Sequence, residues 1–303
     1  MKVSFTIAFT GFVLLLSLSQ AYGDTLYVST GNLNTIYKID SSGNESVFAT
    51  ASSGLNDPSG LAVGSSGNLY VSNEGNDTIE EFGANGVGTV FANTALALPS
   101  SLAFDSSGNL YVANAGNNTI EEFNSSRTGS VFASAASGLS NPGGLAFDST
   151  GNLYVANYNN TILKFNTNGV ASAFASSGLK NPAGLAFDAS GDLYVANYGN
   201  NTIYKFDPSG DGSFFAGTHT ALTNSGVSFP IGLAFDSSGN LYVANHGDGS
   251  VEEENSSGIG SVFASGLGNA AYLAIDDIPE PSSFLLLGLG AMTLCLFRKP
   301  HRA

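Results

Sequence analysis

The amino-acid sequence predicts an all-β chain, a six-bladed β-propeller closed by pairing of its N- and C-terminal strands. A signal peptide and a C-terminal apolar helix are predicted to flank it. Three observations carry this reading. The tripeptide Leu-Tyr-Val begins at Leu26, Leu69, Leu110, Leu153, Leu193 and Leu241, at spacings of 43, 41, 43, 40 and 48 residues. Units of about 40–50 residues that hold several short strands are the mark of propeller blades. The repeats also start and stop out of phase. They open at "TLYVS" (25–29), a second strand with no first before it, and close at "YLAID" (272–276), a first strand with no second after it. Pairing the two fragments completes one blade and satisfies edge hydrogen bonds that an open array leaves bare.

The first 23 residues form the first element. Lys2 precedes an apolar run through Leu18, and small residues follow at Ala21 and Gly23. This is the three-part pattern of a secretory signal peptide, with cleavage expected after Ala21 or Gly23.

Residues 24–278 are the propeller. In the unit from 101 the four strands are "SLAFD", "NLYVAN", "NTIEEF" and "GSVFAS". The first two are nearly all apolar, as strands covered on both faces require. "NTIEEF" is more mixed and is expected nearer the rim. This domain carries five Lys/Arg against 23 Asp/Glu, a formal charge of about −18. That sign excludes a nucleic-acid surface and makes anionic lipid a poor partner. The sole cysteine, Cys295, lies beyond the domain, which therefore has no disulfide, thiol nucleophile or Cys-based metal site.

The pattern P-x-G-L-A-F-D-x-x-G-N-L-Y-V-A-N-x-x-N-N-T-I resembles the NHL-type propeller repeat across nearly all of 24–278. The resemblance specifies a fold. Propellers of this kind serve as binding platforms, lactonase-like hydrolases and lyases, so function must come from the site.

Residues 279–303 are the last element. From Ser282 to Phe297 there are 16 uncharged residues, about 24 Å as a helix against a bilayer core of about 30 Å. Arg298, Lys299 and Arg302 follow and would hold the C-terminus in the cytoplasm. Pro279, Glu280 and Pro281, the Leu/Gly run and the basic end together resemble the PEP-CTERM sorting signal of bacterial exported proteins. The resemblance implies recognition by an exosortase-like processing enzyme and removal of the tail. It also implies delivery to the cell surface or exopolysaccharide, with membrane contact only through this segment before processing.

Residues copied from blade to blade read as scaffold. Asp105, Asp148, Asp188 and Asp236 each precede a turn with Gly at its fourth position, the chemistry of a type I turn. Asn73, Asn114, Asn157, Asn197 and Asn245 end the second strand of five blades, and a residue needed five times serves the blade. The Asn-x-Ser/Thr sequons, Asn44 to Asn255, read as turns for the same reason.

Function is expected where the repeat varies. The loop after the second strand and the loop entering each blade share one face. Just after the repeated Asn the chain places Gly31, Glu74, Ala115, Tyr158, Tyr198 and His246 in blade order. Tyr158, Tyr198 and His246 fall in consecutive blades. Adjacent aromatics offer flat apolar faces with hydrogen-bonding tips, suited to sugar rings or to a protein partner. Glu74 shares their position, and His219 lies in an insertion, "GTHTALTNSGVSFP" (217–230), on the same face.

No nucleophile elbow, HExxH zinc site or phosphate loop is present, and no catalytic residue is assigned. The expectation is an exported surface or matrix module binding exopolysaccharide or another exported protein. The alternative is a metal-dependent lactone or ester hydrolase. In blade count the chain resembles the gluconolactonase-type enzymes, which bind a divalent cation in the channel mouth through Glu, Asn and Asp. The Asn ring is the candidate source of amides here, but the Glu-Gly-Pro segment expected near their start is missing. No cofactor is required by any motif; a divalent cation such as calcium is compatible with the channel. "DPSGDG" (207–212) reads as a turn and "EEEN" (252–255) as a solvated edge.

Overall fold

A computed structural model describes residues 24–217 and 226–276. They form six four-stranded antiparallel sheets. Blade 1 takes its inner strand from the end of the chain: Ala270–Asp276 pairs with Thr25–Thr30, followed outward by Thr35–Ile39 and Glu45–Ala49. Leu26 stands opposite Ile275 and Val28 opposite Leu273, so the closure inferred from the two repeat fragments is the closure observed. Blade 2 runs inside to outside through Pro58–Val63, Leu69–Asn73, Thr78–Phe82 and Gly88–Ala92. Blades 3 to 6 repeat this order over 99–133, 142–175, 182–217 and 230–264. The predicted signal peptide, the insertion core with His219 and the predicted C-terminal helix lie outside the described residues. No helix among the described residues is long and apolar enough to cross a membrane.

The inner strands touch one another around the ring, and the P-x-G of the repeat explains how closely. A Cβ on Gly60 would run into the Ser100 carbonyl of blade 3, and one on Gly144 into the Ala183 carbonyl of blade 5. Glycine is required there because backbone meets backbone. Blade 3 carries Ser101 instead, and its hydroxyl accepts the Leu145 N–H at 3.2 Å.

The core lies between blades. The repeated tyrosines of blades 2 to 5 each pack edge-on between two phenylalanines, as Tyr154 does at 4.9 Å from both Phe174 of its own blade and Phe187 of the next. Phe82, Phe123, Phe165 and Phe206 close the third strands of blades 2 to 5 and are fully buried, each worth about 1.5–3 kcal/mol of transfer free energy.

The third strand lies nearer the rim, as expected, but not all of its carboxyls meet solvent. Glu80 and Glu121, one in each of the two "TIEEF" strands, are 5% and 4% exposed, because alternate residues of that strand face the neighbouring blade. "EEEN" is no solvated edge either: Glu252 is 4% and Glu254 0% exposed. Acidic composition predicted solvent, and sheet alternation put these carboxyls inside.

Candidate functional site

The repeated Asn side chains build the face on which the site stands. Asn157 is fully buried. Its Oδ1 accepts the Ser140 N–H at 3.1 Å, and its Nδ2 donates to the Gly138 carbonyl and the Thr161 hydroxyl, both at 3.2 Å. Asn73, Asn114, Asn197 and Asn245 repeat these bonds in their own blades. Each amide ties the loop entering its blade to the turn after the second strand. None of the five lines the funnel described next, so the expected ring of amides for a channel cation is absent there.

The next residue along the chain reaches the opening. The Tyr158 N–H donates to the Asn141 carbonyl and the Tyr198 N–H to the Asn181 carbonyl, fixing both side chains beside the blade-entry loop. Gly31, Glu74, Ala115, Tyr158, Tyr198 and His246 all line one funnel of about 680 Å³ at the axis. The Tyr198 ring is 6.2 Å from that of His246. Tyr158 is 46% exposed, whereas Tyr198 and His246 are partly covered.

Sequence reasoning missed two members of this face. The residue before the blade-entry proline holds a left-handed backbone: Asp57, Asn141 and Asn181 in three blades, Leu98 (φ 45°) and Phe229 (φ 46°) in the others. Asn and Asp tolerate that conformation; leucine and phenylalanine do so at a cost of about 1–2 kcal/mol. Both are also exposed, 51% and 44%. The available clue was that these two apolar residues interrupt an Asn/Asp pattern.

The funnel's electrostatics are acidic to neutral, for no Lys or Arg lines it. Burial and the nearby Asp57 push the Glu74 pKa above the ordinary glutamate value, against the pull of a hydrogen bond from Ser59. Burial, then the Glu74 charge, raises that of Tyr272, which also lines the funnel. Burial lowers the His246 pKa, and its Nδ1 has no hydrogen-bond partner. Among the described residues no three His, Cys, Asp or Glu side chains converge to hold a metal ion.

Fold and face together define a six-bladed propeller with an aromatic-lined axial funnel. Residues 179–206 match the NHL repeat family, and residues 277–299 match the PEP-CTERM protein-sorting motif. The motif marks an exported propeller module, bound for the cell surface or the extracellular space.

Among solved structures the fold is shared with a chain of a nidogen/laminin complex at TM-score 0.72 and 20% identity, covering 84% of this chain and 98% of that one. A gluconolactonase from Xanthomonas campestris is similar at TM-score 0.60 and 18% identity, over 75% and 84% of the two chains. Virginiamycin B lyase from Staphylococcus aureus follows at TM-score 0.55 and 18% identity, over 74% and 71%. At such identities the likeness shows the fold alone. A search of curated proteins finds no match.

Proposed function

We propose that the chain is a non-enzymatic binding module of the cell surface or extracellular matrix. Its axial funnel receives a neutral carbohydrate, such as an uncharged exopolysaccharide segment, or a side chain of an exported protein partner. The observation that carries this reading is the exposure of Leu98, Tyr158 and Phe229 on one face. Two of the three hold a backbone conformation that apolar residues rarely adopt. Exposed aromatics around a concavity are the usual equipment for stacking on a sugar ring or anchoring a partner. Glu74, Asp57 and the absence of a lining cation disfavour uronate or phosphate polymers. His219, expected from the sequence to wall the site, lies outside the described residues. An exosortase-like enzyme removes the tail carrying Pro279, Glu280 and Pro281; intact mass of surface material still bearing that segment would refute its removal.

The test is a neutral-glycan and exported-protein binding screen of the full chain beside Tyr158→Ala/Tyr198→Ala. The double variant should lose about 2 kcal/mol or more of binding and melt as the parent does. Normal binding by the variant, or its unfolding, moves the site elsewhere.

A second reading, a metal-dependent lactone or ester hydrolase, draws on Glu74, a raised carboxyl facing the funnel, and on the likeness to a gluconolactonase. It requires ion binding and turnover that Glu74→Gln abolishes.

A further inference from the structure

The buried carboxyl groups of blade 6 do not line the funnel and have no part in the function proposed above. Glu254 occupies the position filled by Phe82, Phe123, Phe165 and Phe206 in blades 2 to 5. It stands opposite Leu241 as Phe82 stands opposite Leu69, and opposite Gly260 as Phe82 stands opposite Gly88. In blades 2, 3 and 5 the facing glycine leaves room for the phenylalanine ring: a Cβ on Gly129 would sit 2.8 Å from a ring carbon of Phe123. Blade 6 keeps that glycine and puts a narrower, charged side chain in the slot.

A second carboxyl comes to the same place. Glu252 Oε2 and Glu254 Oε1 each lie 2.6 Å from the point that a Cβ on Gly260 would occupy. Both residues are more than nine-tenths buried. Glu252 Oε2 and both carboxylate oxygens of Glu254 have no hydrogen-bond partner, and no ion pair among the described residues reaches either group. Three orphaned oxygens converging in a core are an electrostatic debt that a protein cannot leave open.

We propose that Glu252 and Glu254 hold a divalent cation of the calcium class inside blade 6, beside Gly260. Calcium fits because carboxylate oxygens are its preferred ligands and its coordination shell is irregular. The slot is shaped for a ring wider than the glutamate within it. The remaining ligand positions fall to backbone oxygens and water. Without an ion the pair is costly to ionise. The ion is structural, tightening the blade next to the closure seam.

The experiment compares thermal melting of the full chain at pH 7.5, after chelation, with and without 1 mM Ca²⁺. Glu254→Gln and Glu254→Phe are melted beside it, and the phenylalanine variant restores the residue of blades 2 to 5. If Ca²⁺ binds near 10 μM, Tm should rise by roughly 5 °C or more in the parent, with about one ion per chain by calorimetry. Neither variant should respond, and Glu254→Phe should remain folded with or without the ion. Melting of the parent unchanged by Ca²⁺ overturns the proposal, and the two carboxyls then share protons instead. An equal Ca²⁺ response in Glu254→Phe also overturns it, because the ion then sits elsewhere. Loss of the response in Glu74→Gln alone would place the ion in the funnel.

Discussion

The ring of Tyr198 lies 5.3 Å from that of Phe229, across the boundary between blades 5 and 6. Phe229 reaches this place only by holding a left-handed backbone at φ 46°, where blades 4 and 5 use Asn141 and Asn181. Its N–H is held by Asn201 Oδ1 at 2.8 Å. The pair is therefore kept at some conformational cost, beside an open funnel and with much of Phe229 in solvent.

Replacing Phe229 with asparagine separates folding from binding. Stability should be unchanged or rise by up to about 1 kcal/mol as strain is relieved, while ligand affinity falls by about 2 kcal/mol. Melting and binding measured on one preparation decide it. A variant that loses stability and keeps affinity would show that the phenylalanine serves the fold.

Asn157 should behave in the opposite way to its neighbour Tyr158. Alanine at 157 leaves the Ser140 N–H and the Gly138 carbonyl without their partner, which costs about 2–4 kcal/mol in a buried site. Urea unfolding reads this loss directly. A change below about 0.5 kcal/mol would contradict the clamp.

Removing 270–276 takes the inner strand from blade 1. The second strand then exposes an unpaired edge to the channel, and blade 6 loses its neighbour across the seam. The full chain lacking these residues should show no cooperative melting transition by circular dichroism. A transition like that of the parent would mean that the seam contributes little.

Acid should weaken the turns at the other ends of the inner strands. Partial burial alone would raise the Asp148 pKa. Hydrogen bonds from the Asn152 side chain, from the Thr150 hydroxyl and from both backbone N–H groups outweigh it and hold the value at about 2. A folded value below the unfolded one, near 3.9, means stability that is present above about pH 4 and lost as pH falls toward 2. Tm should therefore drop more steeply between pH 4 and 2 in the parent than in Asp148→Asn. Parallel curves would show that the turn does not depend on the charge.

The blade count, the out-of-phase closure and the scaffold role of "GNLYVAN" were legible in the amino-acid sequence. Each follows from local periodicity and from counting strands, which need no knowledge of distant contacts. The position after each repeated Asn was legible too, since blade geometry is the same six times. The sequence could not decide which acidic residues meet water. Glu252 and Glu254 look like surface charges, and only the stacking of one blade on the next buries them. Nor could it single out Leu98 and Phe229, whose importance rests on a backbone angle and on place, Leu98 lining the funnel and Phe229 lying against Tyr198. A repeat specifies what every blade shares, whereas a site arises where unlike residues from different blades are brought together by closure of the ring.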